Sequence, residues 1–159
     1  MRPRSLIVAT IAVAGVLAGA TASTAATSSR AEPARPEIIC TLKLYNQTPT
    51  KLAGFSFGFI HCSKPFGTGV QSSTYTATVN PRTGAATDQG RYTNWFDDGT
   101  VSGTFRLTGQ YTSPTGATFK GTVTAAGGTG AFTSAKGTGT LTCRTANAGA
   151  TFSCTAVLS

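Results

Sequence analysis

Charge is what this chain has least of. Charged residues make up only 11% of it, with five Asp and Glu against thirteen Lys and Arg, for a formal net charge of +8. Ordinary soluble domains carry about 25% charged residues. The basic residues are scattered with no run among them, which excludes a nucleic-acid-binding arm. What remains is a weak attraction to anionic cell wall or polysaccharide.

Histidine is scarcer still, with one copy, His61. One histidine cannot complete a His-rich metal site, and the cysteine spacings do not match a zinc module. No Gly-x-Ser-x-Gly nucleophile elbow occurs. Lys136 lies between alanine and glycine, whereas a phosphate loop needs Gly-Lys-Ser/Thr. No metal, no cofactor and no catalytic constellation are therefore expected.

Long apolar runs are also missing, since a permanent membrane span needs roughly 20 residues. The longest run, Leu6 to Leu17, follows the basic Met1-Arg2-Pro3-Arg4 and precedes small residues from Ala18 to Ala26. That order is an export signal, with cleavage patterns at Ala20-Thr21-Ala22 and Thr24-Ala25-Ala26. Residues 1–26 are expected to be a signal peptide, and the protein to be secreted with no permanent membrane anchor. Residues 27–36 (TSSRAEPARP) read as a disordered linker, and residues 37–159 as one domain.

What the chain does have is threonine, serine and glycine. Threonine suits a pleated strand, because its branched Cβ favours extended backbone while its hydroxyl faces water. Eight short segments alternate apolar and polar residues between turn signals, and none shows helical periodicity. The expected fold is all-β: an eight-stranded antiparallel up-and-down barrel, with a two-sheet sandwich as the alternative. Glycines at strand mid-positions (Gly58, Gly103, Gly121, Gly139) favour the barrel, because tight curvature needs residues without Cβ. The stretch Ala126 to Gly139 holds five glycines around Phe132 and reads as a tight corner between two strands.

Four cysteines, Cys40, Cys62, Cys143 and Cys154, suit two disulfides in an oxidising compartment. Strand register favours the local pairing, Cys40–Cys62 with Cys143–Cys154. In the last hairpin, setting Cys143 opposite Cys154 puts Leu141, Phe152, Ala156 and Leu158 on their face and leaves Thr142, Arg144 and Ser153 on the other. A second hairpin is expected to turn on Asp98-Gly99 as type I′. That turn pairs Phe96 with Val101, Asn94 with Gly103, Tyr92 with Phe105 and Arg91 with Arg106. Tyr75, Ala77 and Val79 should share one face of their strand, as should Phe119, Gly121 and Val123. In the segment Phe55 to Cys62 the phenylalanines are out of phase with Cys62. A bulge at Gly58 is expected to bring Phe55, Phe57, Ile60 and Cys62 onto one side.

The segment from Thr118 to Leu158 resembles the C-terminal half of the allene oxide cyclase and dirigent barrel families. The resemblance rests on Gly127-Gly128-Thr129-Gly130-Ala131-Phe132 followed by Ala135-Lys136-Gly137 and a final hairpin. The whole domain also resembles exported four-cysteine actinobacterial proteins of this barrel type. The resemblance implies an eight-stranded barrel, often oligomeric, whose lumen binds or shapes a small apolar molecule. The families' catalytic residues have no placeable match in this sequence.

Within such a barrel, Tyr75, Tyr92 and Asn94 are polar groups on otherwise apolar faces beside Phe105 and Phe119, which is the makeup of a ligand pocket. These five are the candidate lumen-binding residues. Three readings follow: a secreted barrel binding a small apolar or amphipathic molecule, a cofactor-free cyclase, isomerase or dirigent-like protein, and a filled barrel used for cell-surface interaction. His61 and the Asp97-Asp98 pair read as surface and turn residues, and Arg91 with Arg106 as a solvated pair or an anion site.

Overall fold

Alternating residues hold eight segments extended, and each strand folds straight back on the one before it. The computed structural model describes residues 37–48 and 51–159. The expected signal peptide and linker lie outside the described residues. The strands are β1 (Ile38–Asn46), β2 (Ala53–Cys62), β3 (Gly67–Val79), β4 (Ala85–Phe96), β5 (Gly99–Tyr111), β6 (Ala117–Gly128), β7 (Gly137–Thr145) and β8 (Thr151–Leu158). All neighbours are antiparallel, and β1 pairs with both β2 and β8, so the sheet closes into a barrel. The barrel prevails over the sandwich.

Closure at this radius brings backbone against backbone. A Cβ on Gly103 would meet the Thr124 carbonyl oxygen and come within 2.8 Å of the Tyr92 hydroxyl. Glycine is the one residue that fits there.

Both disulfides are local, Cys40–Cys62 across β1–β2 and Cys143–Cys154 across β7–β8. The last hairpin has the expected register, with Leu141 opposite Ala156 and Cys143 opposite Cys154. The β6–β7 corner also forms as expected, with one 3₁₀ turn, Gly130–Phe132, inside it. Phe132 is buried there, its ring 4.6 Å from Phe66 and 5.7 Å from Phe96 between centroids. The three rings pack together at one end of the barrel.

Two expectations need correction. The bulge at Gly58 is absent, since β2 pairs with β1 and with β3 without a break. Strict alternation from Cys62 therefore buries Ile60, Gly58 and Ser56 and turns Phe55, Phe57 and Phe59 outward, at 41%, 45% and 62% exposure. The irregularity lies in the β5–β6 ladder instead, where Ser102 pairs with Gly127 but Gly103 with Ala125, leaving Ala126 as the extra residue.

The β4–β5 hairpin turns on Asp97-Asp98, with Phe96 opposite Gly99, two positions from the expected register. Gly99 is needed beside the turn rather than within it. Its Cβ would strike the Thr129 carbonyl of the neighbouring corner, which itself binds the turn through Ala131 N–H to Asp98 O at 2.9 Å. A slip of two preserves every face and changes every partner. Tyr92 thus faces Gly103 and Asn94 faces Val101, while Arg91 faces Thr104, so Arg91 and Arg106 are diagonal neighbours. Val79 keeps the parity of Tyr75 and Ala77, as expected, and is exposed because it ends β3.

Candidate functional site in the barrel lumen

The inward faces enclose a cavity of about 70 Å³ whose wall includes all five expected residues, Tyr75, Tyr92, Asn94, Phe105 and Phe119. The wall is divided. Leu107, Phe119, Val123, Leu141, Phe152 and Ala156, from β5 to β8, make an apolar side. Ser56, Gln71, Ser73, Tyr75, Asp88 and Asn94, from β2 to β4, make a polar one. At one end a vestibule of about 300 Å³ opens, lined in part by Phe66, Phe96, Ser134 and Lys136. It shares Cys40, Tyr92, Asn94 and Leu158 with the central cavity.

The polar groups divide by whether the protein already satisfies them. Tyr75 donates its hydroxyl to the Thr48 carbonyl at 3.2 Å, and Tyr92 donates to the Thr124 carbonyl at 3.4 Å. Ser56 and Ser73 bond each other at 2.6 Å. Burial alone pushes the Tyr92 phenol up to about 12, so it stays neutral and serves as a structural donor. The Asn94 Oδ1 and one Asp88 oxygen, Oδ1, are buried with no hydrogen-bond partner. Buried polar atoms without partners are uncommon, and each needs an explanation.

Asp88 was not among the expected residues, nor were Gln71, Ser56 and Ser73. Loss of hydration raises the Asp88 carboxyl from 3.8 to about 6, while the backbone N–H of Gln89 pulls it the other way. Its charge in turn raises Tyr111, after burial, which is the larger cause there. The signal for Asp88 was present in its parity with Tyr92 and Asn94 on β4, since residues two apart share a face. Gln71 and Ser73 share parity with Tyr75 in the same way, and Ser56 shares it with Cys62. Six residues of strand separate Asp88 from Asn94, roughly 20 Å. The two unpaired oxygens therefore belong to different depths of the lumen.

The remaining candidates lie outside. His61 is exposed, its Nδ1 2.8 Å from the Thr68 hydroxyl. Asp97 and Asp98 form the exposed β4–β5 turn. Among the described residues, no three His, Cys, Asp or Glu gather where they could hold a metal ion. No protein-family model, no curated protein and no solved structure matches this chain.

Proposed function

We propose that the protein is a secreted carrier or receptor that holds a small amphipathic molecule in the vestibule and upper lumen. The observation that carries this reading is the Asn94 Oδ1, an unpaired buried acceptor where vestibule and cavity meet. A ligand hydroxyl or amine would satisfy it, and the aliphatic remainder would lie along the apolar side. The central cavity alone suits only a short chain. The vestibule brings the space into the range of about 300–1,000 Å³ usual for small-molecule sites. Two disulfides and the export-like leader support a role outside the cell.

Native mass spectrometry of protein isolated gently from its source tests this reading. A non-covalent adduct on the wild type, lost in Asn94→Leu and in the lumen-filling Leu141→Trp, is the expected result. A clean apo mass for the wild type, or an adduct indifferent to both changes, refutes it.

Asp88 favours a second reading, a cofactor-free isomerase in which a lumen carboxyl takes a proton from one position of the bound molecule and returns it at another. Under it, the molecules released from the wild type and from Asp88→Asn have equal mass and different chromatographic retention. Identical molecules count against it.

A further inference from the structure

The unbroken β2 ladder leaves an aromatic surface on the outside of the barrel. Phe55, Phe57 and Phe59 project from β2 at intervals of two residues, about 6.8 Å. Val70 pairs with Phe59 and with Trp95, extending the apolar surface across β3 to β4. Tyr45 of β1 stacks on Phe57 with centroids 5.9 Å apart. With full exposure of an aromatic side chain taken as roughly 200 Å², the three phenylalanines and Trp95 present on the order of 400 Å² to solvent. Patches of that size on a monomer are commonly functional.

The surroundings of this patch indicate what covers it. On the same face Ser72 and Thr74 of β3 stand opposite Phe57 and Phe55, and Thr93 of β4 stands opposite Ser72. Thr74 pairs with both Phe55 and Arg91, so the aromatic row leads directly to a guanidinium. Arg91 and Arg106 then share an open outer depression of about 590 Å³ whose wall is otherwise largely threonine hydroxyl. The four described carboxylates are elsewhere: Asp88 lines the lumen, Asp97 and Asp98 form a turn, and Glu37 precedes β1.

We propose that this outer face binds a linear anionic glycan, with sugar rings on the β2 phenylalanines and acidic groups on Arg91 and Arg106. Sugar C–H bonds carry slight positive charge and suit the negative face of an aromatic ring. Sugar hydroxyls need the hydrogen-bonding partners that Ser72, Thr74 and Thr93 offer. A guanidinium grips a carboxylate or phosphate through two parallel bonds.

A second copy of the chain fits this face poorly. The patch falls short of the about 800 Å² per partner of a stable protein interface, and the excess of Lys and Arg over Asp and Glu opposes self-association. A bilayer also fits poorly. β2 and β5 lie three strands apart around an eight-stranded ring, so a plane touching Phe57 leaves Arg106 behind, whereas a flexible chain follows the curve.

Polygalacturonate is the probe, with neutral dextran and phosphatidylglycerol vesicles as controls, in titrations at about 0.15 M salt, where long-range charge effects are screened. Phe57→Ser/Phe59→Ser and Arg91→Gln/Arg106→Gln change outward side chains, and an unchanged circular dichroism spectrum with a cooperative thermal transition confirms that both variants fold. Saturable polygalacturonate binding that weakens by about tenfold or more in each double variant is the expected result. Three results overturn the proposal: binding unaffected by loss of the rings, binding to the vesicles in place of the glycan, or concentration-dependent dimers that the phenylalanine changes abolish.

Discussion

Replacing Asp88 with asparagine should make the protein more stable at neutral pH, against the usual direction for a change in a barrel interior. The carboxyl lies in the lumen with one oxygen unpaired, and burial raises it from 3.8 to about 6. Between those values the folded chain holds a proton that the unfolded chain releases. Stability from this group is therefore fully present below about pH 4, falls as pH rises through the window, and is level above about pH 6. At 1.36 kcal/mol per pH unit the whole step is about 3 kcal/mol, a large part of the 5–15 kcal/mol that holds a typical domain together. Asn has nearly the same shape and does not titrate. Urea unfolding at about pH 4 and about pH 8 should show the wild type losing up to about 3 kcal/mol between them. Asp88→Asn should lose far less and should exceed the wild type at the higher pH. Removing the charge should also lower the Tyr111 phenol, read by ultraviolet titration, because Asp88 repels its ionised form. A variant with the wild-type pH slope would refute the reasoning.

Replacing the outward β2 phenylalanines should cost little, about 1 kcal/mol for Phe57→Ser through its covered half and its stack on Tyr45, whereas the buried Phe119→Ala should cost about 3–5 kcal/mol. Comparable losses in chemical denaturation would mean that Phe57 faces inward after all. Gly103→Val places a side chain against the Thr124 carbonyl and the Tyr92 hydroxyl and should destabilise by about 2–3 kcal/mol or prevent folding; a thermal midpoint equal to wild type would contradict the close approach. The disulfides close segments of 22 and 11 residues of sequence separation. Chain entropy then gives each about 3 kcal/mol, with Cys40–Cys62 slightly the stronger. Paired Cys→Ser variants compared by urea midpoint should rank in that order, and the reverse ranking would show that strain or packing outweighs loop length.

Where two independent constraints coincided in the sequence, the structure was legible. In the β7–β8 hairpin a single register satisfied both the cysteine pair and the division of Leu141, Phe152 and Ala156 from Thr142 and Arg144, and no other register did. In the β4–β5 hairpin the Asp98-Gly99 turn signal set the wrong register, which left parity as the one sound guide. It placed Tyr92, Asn94 and Leu107 inward correctly, but parity cannot distinguish registers two apart. The deciding contact, Gly99 against the Thr129 carbonyl, comes from a corner some thirty residues later. Asp88 escaped notice for a related reason. It lies in Ala85-Ala86-Thr87-Asp88-Gln89-Gly90, which has no apolar alternation to announce a strand, although counting back from Tyr92 places it inward.

The phase of β2 shows why hydrophobicity was the wrong guide there. Turning Phe55 and Phe57 inward would bury apolar surface worth about 1.5–3 kcal/mol per ring, and a bulge would disturb two ladders to do it. That balance favours the bulge until volume is considered. The lumen has about 70 Å³ to spare, while an apolar cavity that takes up a single benzene measures about 150 Å³. Two more rings cannot enter an eight-stranded barrel already occupied by Phe105, Phe119 and Phe152. The Cys40–Cys62 bridge fixes the parity from one end, and the narrow interior enforces it along the strand. The small residues Ser56 and Gly58 face in because little else fits, and the aromatic side chains are left outside, where the rings are free for a partner.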